Sequence, residues 1–168
     1  AGWVLCMTKK YILKNSIGEV AGLIKDICSE ISGFIDEANI NIFAAALYEV
    51  AINAIEHGNL GITYETKKEW IEKNIYHEKL AELLKTEKAK NTFVEISLEV
   101  ENDCITLIVQ DKGAGFKPQK AIEKIEQEDV RRNSGRGMMM VKSYFDEIKY
   151  NETGNSITLL KRLNEKIK

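Results

Sequence analysis

A carboxylate and an amide stand four positions apart in an apolar segment, YEVAINAIEHGN, which runs from Tyr48 to Asn59. Its apolar residues recur nearly all round a helix, so Glu49 and Asn53 project from one face, a turn apart. A polar group buried without a partner costs about 1 to 3 kcal/mol, so both side chains need partners. Bound water and a hard cation in a cavity would satisfy them. An exposed stripe or a helix cap is an equally weighted interpretation.

A second candidate follows an alternating strand, in the segment VQDKGAGF from Val109 to Phe116. Gly113 and Gly115 allow a sharp turn and a close approach of the backbone to a ligand, while Asp111 offers an acceptor to an amine. The segment lacks the third glycine of a dinucleotide fingerprint, and the chain contains no GxxxxGK[ST] sequence of a P-loop. Taken alone, the segment is better interpreted as a plain strand-to-loop turn.

A third candidate is the glycine pair in NSGRGMMMVKSYFDEI, which runs from Asn133 to Ile148. Gly135 and Gly137 precede an apolar stretch. Amides at the start of a helix bind polyphosphate through the helix dipole, and Arg136 adds a positive charge. The three methionines that follow are interpreted as core residues.

Composition limits the classes of function. With 168 residues and a formal net charge of -2, the chain is the size of one domain and has no basic field for nucleic acid. Charged residues interrupt the apolar runs short of the roughly 18 residues of a membrane span, and no signal peptide is evident, so a cytoplasmic location is expected. Three separated cysteines outside any CxxC spacing argue against a disulfide framework or a zinc site. Any metal should be a hard ion held by oxygens.

The elements that position these candidates follow from hydrophobic periodicity. A strand is predicted over Trp3–Leu13 and a helix over Ser16–Ile31. A second helix, capped by Asn39 or Asn41, is predicted to run to the residue before Gly58, which acts as its stop.

The second half of the chain is rich in paired strands. Residues 60–91 predict a helical insertion with a solvated side, while alternation over residues 94–100 and 105–109 predicts an antiparallel hairpin. A terminal hairpin is predicted from strands at residues 147–150 and 156–163. Helices cluster early and strands late, so we expect an α+β fold, a two-layer sandwich in which helices cover one face of a mixed, mostly antiparallel sheet. One domain spans the chain.

Together and in this order, the three candidate segments resemble the N, G1 and G2 boxes of the GHKL ATPases, the superfamily of gyrase, histidine kinases and related chaperones. The resemblance covers residues 44–163 apart from the insertion, and it implies the Bergerat fold. The Glu-x-x-x-Asn-Ala-x-x-His-Gly form of the first box is similar to that of the anti-sigma-factor serine/threonine protein kinases of bacteria. The glycine box that runs into Phe-Asp and a terminal hairpin is similar to the same branch.

The resemblance implies a role for each residue of the first two boxes. Asp111 would accept a hydrogen bond from the adenine amino group of ATP, and Gly113 and Gly115 would shape the pocket wall. Asn53 would hold Mg²⁺ through its side-chain oxygen, and Glu49 would act as the general base.

The resemblance assigns the phosphates to the third box. Gly135, Arg136 and Gly137 would close over the triphosphate, and a mobile lid would run from Phe116, itself at the nucleotide, to residue 134. In related proteins a Gly-Thr pair in the final hairpin helps to hold adenine; this chain lacks the pair, and Ser156 is expected to substitute.

The implied activity is that of a serine/threonine protein kinase that binds a sigma factor and phosphorylates an anti-sigma-factor antagonist. The insertion resembles versions fused to receiver or phosphatase domains, although a solvated spacer is slightly favoured over a docking surface. A homodimer is also expected. Alternatives are a nucleotide-controlled binding module without turnover and the catalytic half of a histidine kinase, for which neither His57 nor His77 stands in an upstream phosphoacceptor helix.

Overall fold

A computed structural model describes residues 6–101, 103–115 and 136–163, which form one sheet and a layer of helices. In chain order the elements are β1 (Cys6–Lys14), α1 (Ile17–Ile31), α2 (Glu37–Asn53), a π-helical segment (Ala54–Asn59), α3 (Tyr64–Glu72), α4 (Tyr76–Leu84), α5 (Glu87–Asn91), β2 (Phe93–Glu101), β3 (Cys104–Gln110), α6 (Arg136–Tyr144), β4 (Glu147–Tyr150) and β5 (Ser156–Arg162). The predicted α+β two-layer sandwich is confirmed.

The sheet has the strand order β1-β2-β3-β5-β4. Within the described residues all its pairings are antiparallel, where the sequence predicts a mixed, mostly antiparallel sheet. Leu98 pairs with Leu107 at the centre, and alternation places both on the face that the helices bury. The antiparallel pairings of β2 with β3 and of β4 with β5 confirm both predicted hairpins.

The first strand and helix agree with prediction over the described residues. β1 extends one residue beyond the predicted end to Lys14, and residues 3–5 of the predicted strand lie outside the described part of the chain. Helix α1 packs on the sheet and on α2 through apolar residues at helical spacing. These are Val20, Ile24, Ile27, Cys28 and Ile31.

The predicted cap of the second helix is wrong. Neither Asn39 nor Asn41 caps α2; the cap is Asp36, whose carboxylate accepts the backbone N–H of Asn39 at 2.8 Å. Asp36 has the extended conformation of a cap residue (φ -74°, ψ 167°), and Asn39 already lies in the first helical turn.

The predicted stop at Gly58 is also wrong. The helix runs through Gly58 as the π-helical segment, in which the Leu60 N–H donates to the Ile55 carbonyl at 2.9 Å. The left-handed residue that ends the helix is Gly61 (φ 68°), and the Ile62 N–H then reaches back to the Glu56 carbonyl at 2.8 Å.

The insertion (residues 60–91) is helical, as predicted, and consists of three short helices. Thr63 caps α3 through a 3.1 Å bond from the Thr66 N–H, and Thr86 caps α5 through a 3.2 Å bond from the Ala89 N–H. Helix α3 buries no residue completely, whereas α4 buries Leu80. The insertion therefore has the solvated side that its composition indicates.

Helix α2 is the central helix, because it contacts both α1 and α6. Its Phe43 is fully buried, with ring centroids 6.4 Å from Tyr144 and 5.9 Å from Phe145. By length and composition alone, the continuous helix Glu37–Asn59 is long and apolar enough to cross a membrane. The apolar runs of the sequence, which charged residues interrupt, did not predict such a helix. The core helix of a soluble protein meets the same criterion, so this is weak evidence for a span.

Candidate functional site

Glu49 and Asn53 lie side by side on α2. Asn53 Nδ2 donates to Glu49 Oε1 at 3.4 Å, and both residues are half-buried. They share one helical face, as their spacing predicts. Because the amide nitrogen of Asn53 faces Glu49, its oxygen is directed away from the carboxylate.

Helix α6 begins directly against Glu49. A Cβ built on Gly137 would lie 2.0 Å from Glu49 Cδ and 2.3 Å from Glu49 Oε2, so any larger residue there would displace the Glu49 carboxylate. Arg136, the first residue of α6, is exposed beside it. The structure therefore brings the third candidate segment to the first.

Asp111 follows β3 and is 9% exposed. Its Oδ1 accepts the Gly113 N–H at 2.7 Å, and its own N–H donates to the Asn155 carbonyl at 3.0 Å, continuing the ladder with β5. Burial raises the pKa of Asp111, and the hydrogen bond from the Gly113 amide opposes that rise. One carboxylate oxygen is thus held by the turn, which leaves Oδ2 as an acceptor for a ligand.

Two glycines pack tightly around Asp111. A Cβ on Gly58 would lie 2.3 Å from Asp111 Cγ, and a Cβ on Gly113 would lie 2.2 Å from the Gly58 carbonyl oxygen. Gly58 therefore allows close packing of Asp111 against the last turn of the helix. The second candidate segment is in contact with the end of the first.

Gly115 joins the same turn to the β4–β5 hairpin. It has a left-handed φ of 76°, and a Cβ there would lie 1.9 Å from the Thr153 carbonyl oxygen. Ser156 pairs with Gln110, and alternation along β5 places its side chain on the opposite sheet face from buried Ile157. The structure thus brings Gly115 to the β4–β5 turn, whereas the Ser156 side chain lies on the sheet face opposite to that of Ile157.

Some predicted positions lie outside the described residues. These are Phe116, Gly135 and the predicted lid over residues 116–134.

Glu56 is a buried polar residue that the sequence interpretation missed. It is 1% exposed, forms an ion pair with Lys67 Nζ of α3 and accepts a hydrogen bond from Tyr76 OH of α4. Burial, followed by the hydrogen bond to Glu56, raises the pKa of Tyr76. The sequence does carry a signal for it, because Glu56 is a charged residue in a helical segment whose other residues are apolar nearly all round.

Two buried asparagines were missed as well. Asn59, the last residue of the π-helical segment, has no exposed surface, and its Nδ2 donates to Asn15 Oδ1 at 2.8 Å. Asn15 is 8% exposed and lies between β1 and α1. Neither residue belongs to a spacing pattern, so sequence periodicity carried no signal for them.

His57 has a structural environment. Its ring stacks on Tyr64 with centroids 4.0 Å apart, and Nδ1 is hydrogen-bonded to the Ile62 carbonyl oxygen. Burial lowers the pKa of His57, and the bond to Ile62 opposes that shift. The neutral imidazole therefore anchors the start of the insertion to the π-helical segment.

The donor set of the site suits a hard ion bound jointly with a phosphate ligand. Within the described ranges, no three His, Cys, Asp or Glu side chains are grouped to hold a metal ion. Magnesium needs only one or two protein oxygens when phosphates and waters supply the rest of its shell. The amide oxygen of Asn53, which is directed away from the Glu49 carboxylate, fits that requirement.

The candidate residues are spread along one helix. Glu49 contacts Gly137, and Gly58, nine positions further on, contacts Asp111. At a rise of about 1.5 Å per residue over the α-helical part, the two contacts are separated by on the order of 10 Å along the helix axis, a spacing compatible with a ligand that has a flat ring at one end and phosphates at the other.

Comparison with known proteins identifies a family. The model of the histidine kinase-like ATPase domain matches residues 14–161, which include the insertion and the described parts of all three candidate segments. No curated protein matches the chain.

Proposed function

The chain belongs to the histidine kinase-like ATPase family and is thus an ATP-binding domain, and we propose that it transfers the γ-phosphoryl group of ATP to a serine or threonine of a protein. The observation that carries the proposal is the contact of Gly137 with Glu49 and of Gly58 with Asp111 along one helix. The carboxylates of Glu49 and Asp111 thereby lie at the two ends of the segment that would bind the nucleotide.

Asp111 supports recognition of adenine. Its Oδ1 is occupied by the Gly113 N–H, so Oδ2 would accept a hydrogen bond from the exocyclic amine of the base. Guanine has a carbonyl oxygen at the corresponding ring position. That oxygen and Asp111 Oδ2 are both hydrogen-bond acceptors, so no hydrogen bond would form between them. The site should therefore discriminate between the two bases.

Asn53 would hold Mg²⁺, which supplies charge neutralisation of the phosphates when it is bound. The first turn of α6, with Arg136 and Gly137, would lie against the triphosphate, because backbone amides at a helix N-terminus favour anions. The Glu49 carboxylate, in contact with Gly137, would then face the terminal phosphate.

Glu49 is proposed as the general base. The substrate hydroxyl oxygen would bond to the γ-phosphorus, the bond from phosphorus to the β–γ bridging oxygen would break, and ADP would leave. The hydroxyl proton would pass to Glu49. The residues around Glu49 are also compatible with water as the acceptor, which would make the domain an ATPase.

The protein substrate that we propose is an anti-sigma-factor antagonist, with a sigma factor as the second partner. The support is the Glu-x-x-x-Asn-Ala-x-x-His-Gly form of the first box, from Glu49 to Gly58, together with the glycine box that runs into Phe145-Asp146. Both features resemble the bacterial anti-sigma-factor kinases.

The test is phosphoryl transfer from radiolabelled ATP with Mg²⁺ to the candidate antagonist. Glu49→Gln keeps the shape of the side chain but cannot take a proton, so transfer should fall by about 10² to 10⁴. Affinity for ATP should change by less than about twofold, which calorimetry measures.

The matched control is Glu69→Gln, which makes the same chemical change in an exposed ion pair on α3. It should leave transfer at the parent level. Transfer by Glu49→Gln at the parent rate would rule out the general base, and absence of transfer by the parent with any antagonist would contradict the kinase proposal.

A further inference from the structure

The buried residue Asn59 uses both ends of its amide in hydrogen bonds. Its Oδ1 accepts the backbone N–H of Lys112 at 2.7 Å, and its Nδ2 donates to Asn15 Oδ1 at 2.8 Å. The Asn59 side chain has no exposed surface, so its amide depends on these two protein partners for its hydrogen bonds. The orientation of the amide is therefore fixed by an acceptor on one side and a donor on the other.

The bond to Lys112 acts on the turn that carries Asp111. The Lys112 N–H belongs to the peptide plane shared with Asp111, so holding that N–H fixes the rotation of the peptide that leaves Asp111. On the next peptide, the Gly113 N–H holds Asp111 Oδ1 at 2.7 Å. Asn59 and Gly113 together determine the direction in which the free carboxylate oxygen points.

Asn15 extends the connection to the insertion. Its Nδ2 lies within hydrogen-bond distance of the Ala89 carbonyl (2.7 Å), the Thr92 carbonyl (3.0 Å) and Thr92 Oγ1 (2.8 Å). Ala89 lies in α5, and Thr92 directly follows that helix. The two buried amides thus join the end of the insertion to the Asp111 turn.

We propose that Asn59 is a positioning residue for nucleotide recognition, and that the Asn15–Asn59 pair couples the end of the insertion to the orientation of Asp111. The proposal rests on the proposed adenine-binding role of Asp111. The insertion then supports the nucleotide site mechanically, in addition to any contact that it makes with a partner.

Two measurements on the whole chain test the proposal, and a transfer assay serves as their control. The first is the dissociation constant for ATP with Mg²⁺ by calorimetry, and the second is hydrogen exchange of the Lys112 amide without nucleotide. Asn59→Ala should weaken ATP binding about tenfold, as expected for one lost hydrogen bond, and should speed Lys112 exchange. Transfer at saturating ATP should stay within about twofold of the parent, because Glu49 is untouched.

Three further variants separate positioning from general stability. Asn15→Ala keeps the bond to Lys112 but removes the support of the Asn59 amide, so a smaller effect in the same direction is expected. Thr92→Val leaves both backbone acceptors of Asn15 and should behave as the parent. Ile105→Ala opens the buried far end of β3, about 20 Å along the strand from Asp111, and should lower the melting temperature without changing ATP affinity.

The proposal is overturned if Asn59→Ala binds ATP as tightly as the parent, or if Ile105→Ala loses as much affinity. If Asn59→Ala does not fold, Asn15→Ala decides the question. The coupling is overturned if this variant has the same ATP affinity and the same Lys112 exchange rate as the parent. A parent chain that binds no ATP would instead defeat the proposed function, and the exchange of Lys112 would still report whether Asn59 holds the turn.

Discussion

Tyr144 shows how burial changes the chemistry of a single residue. Its hydroxyl donates to the Asn39 carbonyl at 3.2 Å, where α6 meets the start of α2. Burial raises the pKa of Tyr144 to about 12, with smaller contributions from Asp36 and Asp146. The folded protein therefore retains a proton that the unfolded chain releases near pH 10.

Stability should fall as pH rises from about 10 towards 12, because the unfolded state then binds fewer protons than the folded state. Tyr144→Phe has no hydroxyl to titrate, so its stability should fall less steeply over this interval. Urea unfolding at pH 8 and at pH 11, followed by circular dichroism, measures the difference. The difference in the free energy of unfolding between parent and variant at pH 8 measures the lost hydrogen bond. An equal loss of stability from pH 8 to pH 11 in parent and variant would refute the raised pKa of Tyr144.

At the scale of elements, α6 and α2 run antiparallel. The first turn of α6 touches Glu49 through Gly137, and its last residue, Tyr144, reaches Asn39 at the start of α2. The position of the glycine box against Glu49 is therefore set by packing along the whole of α6.

Gly137→Ala would place a methyl group 2.0 Å from Glu49 Cδ and must separate α6 from α2 or rotate Glu49 away. Transfer should fall on the order of 100-fold, since a misplacement of about 1 Å has that effect on a positioned catalytic group. Gly22→Ala is the control, because its Cβ would meet nothing within 4 Å in α1. It should keep activity and raise the melting temperature, and equal activity in both variants would contradict the packing.

Local sequence patterns predicted the helices and strands better than they predicted the contacts between these elements. The alternation along β2 and β3 fixed both strands and their buried face. The start of α2 was misjudged because Asp36, Asn39 and Asn41 are all good caps, and only the backbone conformation of Asp36 decides among them. Partners from different elements, such as Lys67 for Glu56, leave no periodic signal.

At the scale of the molecule, the fold assembles the site on α2 and its π-helical extension. The family resemblance predicted that the three boxes converge, and the contacts of Gly137 and Gly58 place the described parts of the second and third boxes against the first. The buried pair Asn15–Asn59 was not predictable, because it joins residues 44 positions apart without a motif. The insertion is thus tied to the site in ways that composition alone does not reveal.

The central claim is that Asp111 recognises the adenine of ATP by accepting a hydrogen bond from its amine. The most direct test is titration of ATP and of GTP, each with Mg²⁺, into the parent and into Asp111→Asn. In the variant, the amide oxygen would keep the Gly113 N–H, so the amide nitrogen would face the amine of the base. ATP affinity should fall about 10- to 100-fold while GTP affinity holds or rises, which abolishes the preference. An unchanged preference for ATP in Asp111→Asn would contradict the account.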